Sequence, residues 1–311
     1  MTLPLVSVVI PTYNKSQFIE KTLMSVIKQT YKNTEIILVD NGSTDDTRSR
    51  IQDFTSRNMG NFKIINLENN LGPSNARNEG ILASSGKYVF FLDGDDIFFP
   101  EKISVQVNFM EQNLEVGLTI TPYIIYSPKN NILRLIRNTD PVSLISNWLN
   151  MTGFGGSVES TGCIRRDEIK PTMLYDISLM GSEGLDFILR WSENSTIGIL
   201  PKPLAIYRLS PNQLHLELSG IKENAARVAN KYAKNEEQRI KISNMQNAFF
   251  ELCEFRALGK ARLFLSIVVN LLSFDLYGVS MALAIFKRNT SAIFLGFQYR
   301  KRIRTLMTSL E

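Results

Sequence analysis

An α/β fold, with a mostly parallel sheet flanked by helices and a helical region at the carboxyl end, is predicted by three observations. Short apolar, β-branched runs alternate with helically spaced segments through the first half of the chain, each run stops at polar residues, and helical spacing alone continues beyond about residue 216. Alternation of this kind is what crossover helices between parallel strands produce, because a parallel pair cannot be joined by a tight hairpin.

Val6-Ser-Val-Val-Ile10 reads as a buried strand ended by Pro11, and Ile19, Leu23, Val26 and Ile27 then recur at helical spacing. Glu35 to Val39 is the second strand, followed by an Asn41-Gly42 turn and a helix that Ser43 or Thr44 could cap. Phe62 to Leu67 is a third strand, Ser74 to Ala83 a helix, and Lys87 to Leu92 a fourth strand. Beyond Phe98-Phe99-Pro100 a helix runs to about Glu111, Gly117 to Tyr126 reads as one strand, and Ser143 to Met151 as a helix. Gly153-Phe-Gly-Gly156 lacks the last glycine of a dinucleotide fingerprint and follows a helix rather than a strand, so it reads as a loop.

Composition narrows the chemistry. The chain has 311 residues, of which 44% are hydrophobic and 21% charged, enough for a sizeable core and unlike a disordered or low-complexity chain. Its two cysteines, Cys163 and Cys253, are too far apart in sequence for a CxxC zinc site and too few for a disulfide scaffold. One histidine, His215, argues against a histidine triad or a multi-histidine metal centre, so catalysis falls to carboxylates. A net charge of +5 favours an anionic partner without distinguishing phosphate, nucleic acid or membrane.

Ligands of open parallel sheets bind outside the carboxyl ends of the strands, where the loops gather. Those ends carry Pro11-Thr-Tyr-Asn14, Asp40-Asn-Gly-Ser43 and Asp93-Gly-Asp-Asp96, with Arg77 early on the intervening helix. Carboxylates, an arginine, an aromatic ring and amides around one crevice suit a nucleoside diphosphate with a divalent cation, since Mg²⁺ takes one or two carboxylates and completes its shell with substrate phosphates. Taken singly, each motif reads equally well as a turn, a helix cap or a surface ion pair. Their coincidence at corresponding strand ends is what favours a site.

Ser7-Val-Val-Ile-Pro-Thr-Tyr-Asn14, Ile37-Leu-Val-Asp-Asn-Gly-Ser-Thr-Asp-Asp46, Asn75-Ala-Arg-Asn-Glu-Gly80 and Phe91-Leu-Asp-Gly-Asp-Asp96 resemble glycosyltransferase family 2 in order and spacing. The resemblance is dense over roughly the first hundred residues and thinner to about residue 210. It implies a GT-A domain over residues 1–215 and an inverting transfer from a nucleoside diphosphate sugar, a UDP-sugar favoured, to an acceptor hydroxyl. By position it implies that Thr12 and Tyr13 line the nucleoside pocket, Asp40 accepts a hydrogen bond from the base, Arg77 contacts the base or phosphate region, Asp93 meets the ribose, and Asp95 ligates Mg²⁺ or Mn²⁺. Thr161 to Arg166 resembles the family strand beside the acceptor site.

Two positions depart from the family. Gly181-Ser-Glu-Gly-Leu-Asp-Phe-Ile-Leu-Arg190 resembles its Glu-Asp helix start, yet Gly184 stands where the catalytic aspartate is usual, which leaves Glu183 as the leading base and Asp186 as the second. Leu204 to Asn212 resembles its Tyr-Arg-x-His segment with Ser210 at the histidine, while Arg208 keeps a phosphate-binding side chain.

Residues 216–311 read as a helical carboxyl-terminal region whose uncharged runs, about a dozen residues long, fall short of the roughly 20 needed to span a bilayer. Ile293, Phe294, Phe297 and Leu306 with Arg300, Lys301, Arg302 and Arg304 suit an anionic membrane surface, the alternative being a bundle packed on the catalytic domain or on a second copy in a homodimer. The amino terminus shows no secretory signal, so the expected place is the cytoplasmic face of the inner membrane, with a glycan or lipid-linked acceptor. A nucleic-acid partner is disfavoured because the basic residues sit in an apolar tail and not along a polar groove. A nucleotide-sugar-binding subunit with little activity is the competing reading.

Overall fold

The computed structural model describes residues 2–127, 132–136, 159–208, 218–232, 303 and 305–310. The first half alternates strand and helix: β1 (Val6–Thr12), α1 (Ile19–Ile27), β2 (Thr34–Asn41), α2 (Thr47–Arg57), β3 (Asn61–Leu67), α3 (Pro73–Ala83) and β4 (Tyr88–Phe91). There follow β5 (Ile97–Phe98), α4 (Lys102–Gln112), β6 (Val116–Ile120), β7 (Tyr123–Ser127), β8 (Ile132–Ile136), β9 (Cys163–Arg165), α5 (Glu183–Asn194), β10 (Thr196–Ile199), β11 (Ala205–Arg208) and α6 (Leu218–Tyr232). Seven strands form the main sheet in the order β10-β6-β9-β4-β1-β2-β3, parallel except where β9 runs against β4 and β6. A smaller sheet, β5-β11-β7-β8, lies beyond the acidic turn that follows β4.

Both faces of the main sheet are covered, which is why β1, β2 and β4 are runs of apolar residues and not an alternation. Val8, Ile10, Leu38 and Phe90 pack with Leu23 of α1 on one face, and Val9, Ile37, Val39 and Phe91 pack with Ile81 of α3 and Phe187 and Trp191 of α5 on the other. Gly80 lets α3 lie directly on β1: a Cβ there would sit 2.2 Å from Cγ1 of Val9. That contact sets how far Arg77, one turn earlier on α3, stands from the strand ends.

Three expectations are corrected. Gly117 to Tyr126 is two strands in different sheets, because Thr121-Pro122 interrupts it and a proline has no N–H for the ladder. Ser43 and Thr44 do not cap α2, which starts at Thr47 after Asp46. Ser43 Oγ accepts the Asn14 N–H at 3.0 Å and the Thr44 N–H donates to Asn14 Oδ1 at 2.8 Å, so these residues tie the loop after β2 to the loop after β1. At the carboxyl end, Leu306 is buried, with Ile303 and Leu310, against Ile97, Phe99, Ile124 and Ile206 at the smaller sheet, and is not offered to a lipid surface. Ser143 to Met151, Gly153 to Gly156, Ser210, His215, Cys253, Ile293, Phe294, Phe297, Arg300, Lys301, Arg302 and Arg304 lie outside the described residues.

Residues just past the expected boundary at 216 are docked on the first domain. Val228 of α6 packs with Leu179 and with Leu189 of α5, while Lys231 and Tyr232 reach Asp186. Among the described residues no helix is long and apolar enough to cross a membrane. Cys163 is a buried free thiol, its pKa pushed up by burial, as suits a small core residue.

Candidate active site

The carboxyl ends of β1, β2 and β4 converge. Register pairs Thr12 of β1 with Asp40 of β2, and an ideal Cβ on Gly94, in the turn after β4, would lie 2.9 Å from Oγ1 of Thr12. Asp40, Thr12 and the Asp93-Gly-Asp-Asp96 turn are therefore successive neighbours. Asp40 is fully buried, and its Oδ2 accepts from Arg48 Nη2 at 2.6 Å, Arg48 Nε at 2.9 Å and the Ser43 N–H at 3.3 Å. Asp40 Oδ1 and Thr12 Oγ1 are buried with no hydrogen-bond partner among the described residues. Two such buried atoms on paired strand-end residues are costly unless a ligand completes them, and a nucleobase N–H or ribose hydroxyl has the required chemistry. Tyr13, the next residue, is half-buried at the same rim.

The acidic turn separates its carboxylates by environment. Asp95 Oδ2 meets Lys15 Nζ at 2.5 Å, with the aspartate side chain 8% exposed. Asp96 is buried, accepting from Ser160 Oγ at 2.6 Å and the Arg208 N–H at 3.1 Å. Burial, with Asp95 and Asp93 close by, pushes its carboxyl well above the usual range. Asp96 thus braces the turn, and Asp95 is the carboxylate suited to a hard cation. Among the described residues no group of three acidic, histidine or cysteine side chains is placed to hold a metal ion, so an ion here would draw its remaining ligands from phosphates and water. Lys15 already places positive charge at Asp95, and a metal ion would have to share or replace that contact.

Arg208, expected at the phosphates, is committed elsewhere. Its guanidinium donates to the backbone oxygen of Asp95, to Phe18 O at 3.1 Å and to Thr22 Oγ1 at 2.7 Å, clamping the turn to α1. Burial lowers its pKa to about 10 against the pull of Asp96 and Asp95.

Arg77 organises the other side of the cleft. Its Nη2 donates to Asp93 Oδ1 at 2.9 Å, its Nη1 to Glu183 Oε1 at 3.2 Å, and Glu159 Oε1 lies 3.7 Å from Nη1. Burial works against the charge, but Asp93, Glu159 and Glu183 outweigh it and hold the guanidinium well above its ordinary pKa. Its centre also sits 5.3 Å from the ring centroid of Tyr175. Arg77, for which the resemblance implies a contact with the base or phosphates, joins Asp93 to Glu159 and Glu183. The sequence reading missed Glu159 and Lys15; a lone acid before a strand and a lysine after a β1 turn carry no motif.

The two base candidates separate clearly. Glu183, at the start of α5, is buried, with Oε1 on Arg77 and Oε2 lacking a partner among the described residues. Asp186 is fully buried: Oδ2 accepts from Arg190 Nε at 2.6 Å, and Oδ1 from Lys231 Nζ at 2.7 Å and Tyr232 Oη at 3.0 Å. Both oxygens of Asp186 are engaged, which fastens α5 to α6.

Residues 7–169 match the profile of Glycosyl transferase family 2. The chain belongs to that family. It is 32% identical over 146 residues to a glycosyltransferase of Haemophilus influenzae, a match that covers 47% of this chain and 58% of the relative. It is 36% identical over 109 residues to the Escherichia coli UDP-Glc:alpha-D-GlcNAc-diphosphoundecaprenol beta-1,3-glucosyltransferase WfgD, covering 35% of this chain and 42% of that protein. The chain therefore spans less than two thirds of the length of these relatives. Staphylococcus aureus TarS 1-349 in complex with UDP has the same fold, with a TM-score of 0.58 at 20% identity over 79% of this chain and 69% of that 1-349 chain.

Proposed function

We propose that this family 2 member transfers a sugar, with inversion, from a nucleoside diphosphate sugar to the hydroxyl of a lipid-linked glycan in bacterial surface polysaccharide or glycolipid synthesis, at the cytoplasmic face of the membrane. The observation that carries this reading is the pair of unpartnered buried oxygens, Asp40 Oδ1 and Thr12 Oγ1, beside a turn whose Asp95 already holds positive charge. Family membership and the UDP-glucose donor in the name of WfgD support a UDP-sugar and an acceptor carried on a lipid diphosphate.

In this reading Thr12, Tyr13 and Asp40 hold the nucleoside and Asp93 meets the ribose, oriented by Arg77. Asp95 would hold Mg²⁺ or Mn²⁺, which when bound neutralises charge on the departing diphosphate. Lys15, at the same carboxylate, adds positive charge at the diphosphate end. Removal of the acceptor's proton falls to a carboxylate of the Arg77 cluster, for which the sequence nominated Glu183. The carboxyl-terminal region would keep the enzyme near its lipid-borne acceptor, with Leu306 fastening its end to the smaller sheet.

Gly184 favours a second reading, a nucleotide-sugar-binding subunit without transfer. Incubation with UDP-glucose, Mn²⁺ and GlcNAc-diphospho-undecaprenol separates the two: the enzyme forms a disaccharide lipid and UDP, whereas a binding subunit retains UDP-glucose unchanged. Absence of product across a panel of UDP-sugars and lipid acceptors would overturn the transferase reading.

A further inference from the structure

Three acids, Asp93, Glu159 and Glu183, surround Arg77, and they differ in what lies around them. Asp93 faces the donor side. Glu183 has one oxygen on the guanidinium and the other buried without a partner among the described residues, and its side chain is 10% exposed against 12% for Glu159. Glu159 borders a small hollow of about 10 Å³ that is also lined by Asp96, Ser160, Tyr123 and Tyr207.

The place that Glu159 occupies is defined by a missing side chain. An ideal Cβ on Gly184 would lie 2.2 Å from Glu159 Oε1 and 2.9 Å from both its Cδ and Oε2. No Cβ approaches a neighbour that closely, so the Glu159 carboxylate fills the volume that any side chain at 184 would enter. A side chain at 184 would require the Glu159 carboxylate to swing out of this place.

The segment bearing Glu159 is also fixed against the donor site. Ser160 has φ 54, a left-handed conformation that costs a non-glycine residue energy and persists only where surroundings impose it. The constraint is visible: Ser160 Oγ accepts the Asp93 N–H at 3.0 Å and donates to Asp96 Oδ2 at 2.6 Å. The Thr161 N–H closes the turn onto the Glu159 carbonyl at 2.6 Å.

We infer that Glu159 is the catalytic base of the transfer, an inference that rests on the transferase reading above and specifies its acceptor side. The Glu159 carboxylate takes the proton of the acceptor hydroxyl, and the oxygen's electron pair forms the new bond to the anomeric carbon. The bond from that carbon to the diphosphate breaks, its electrons leaving with UDP, and the proton passes from Glu159 to water. Glu183 is then a positioning residue that, with Asp93, holds Arg77.

The test uses the full chain with UDP-glucose, Mn²⁺ and GlcNAc-diphospho-undecaprenol, reading UDP release, together with UDP affinity by calorimetry. Wild-type turnover tests transfer itself; the variants, compared with it, test Glu159. Glu159→Gln keeps the shape of the side chain and should lower kcat at least 100-fold while UDP affinity stays within threefold, in line with the ~10²–10⁴-fold that general bases contribute. Glu183→Gln should lower kcat by less than Glu159→Gln does. Glu159→Ala with Gly184→Asp, which returns a carboxylate to the cleared volume from the other side, should recover at least tenfold over Glu159→Ala alone. An active wild type whose Glu159→Gln variant keeps its kcat within threefold would overturn the assignment. So would a parallel loss of UDP affinity and turnover in Glu159→Gln with no recovery in the double variant, the pattern of a residue that only supports Arg77.

Discussion

The donor and acceptor sides of the cleft are built by different means. Sheet register pairs Thr12 with Asp40, and Asp93 and Asp95 lie in the turn just past β4, held there by Ser160 and Arg208. Glu159 and Glu183 come from a turn and a helix start, and a single guanidinium, Arg77, gathers them. A site set by register tolerates loss of one side chain, whereas a site set by one buried cation does not.

Arg77→Met breaks that comparison most directly. It leaves acidic side chains facing one another in a buried place, and it should cost about 3–5 kcal/mol of stability, measured by urea unfolding. A cost near zero would mean the acids do not depend on it. Asp186→Asn comes next: it removes the buried anion shared by Arg190 and Lys231 and should cost about 1–3 kcal/mol while kcat of the folded protein stays within a few-fold. The reverse pattern, full stability with turnover lost, would favour Asp186 as a base.

How much of this was legible depended on where the chemistry sits along the chain. The order of strands and helices through β4 and the acids at their ends could be read directly, because apolar runs mark strands buried on both faces and polar residues must follow where the chain leaves the sheet. Glu159 could not, since its meaning lies in a 2.2 Å approach to Gly184 from a distant segment. Leu306 was misplaced for a related reason: an apolar residue among arginines suits a lipid surface and a protein surface equally, and only the contacts with Phe99 and Ile206 decide. The break at Pro122 was visible as a proline, but an apolar run on both sides hid the change of sheet.

Two smaller effects sharpen the picture of the supporting frame. Lys102 is buried behind the acceptor-side strand, donating to Gln106 Oε1 at 2.6 Å and Thr161 O at 3.0 Å, and burial lowers its pKa from the ordinary lysine value to about 7. The unfolded chain holds this proton up to about pH 10.5, whereas the folded one releases it near pH 7. Unfolding therefore takes up a proton between those values, so stability rises with pH across that window and is flat in this group below it. Lys102→Met should remove the rise, seen as a smaller gain in Tm between pH 7 and 9 than in the wild type. Smallest of all, Lys15→Met frees Asp95 from its ammonium partner and should tighten Mn²⁺ binding in the presence of UDP by a few-fold, readable by calorimetry.

The central claim is that strand ends assembled by register grip a cation-bound nucleoside diphosphate. Its most direct measurement is UDP binding to the full chain by calorimetry, with and without Mn²⁺, in the wild type and in Asp95→Ala. The account predicts that Mn²⁺ strengthens UDP binding at least tenfold in the wild type and not at all in Asp95→Ala. Equal strengthening in both proteins, or no UDP binding by the folded wild type under either condition, would contradict it.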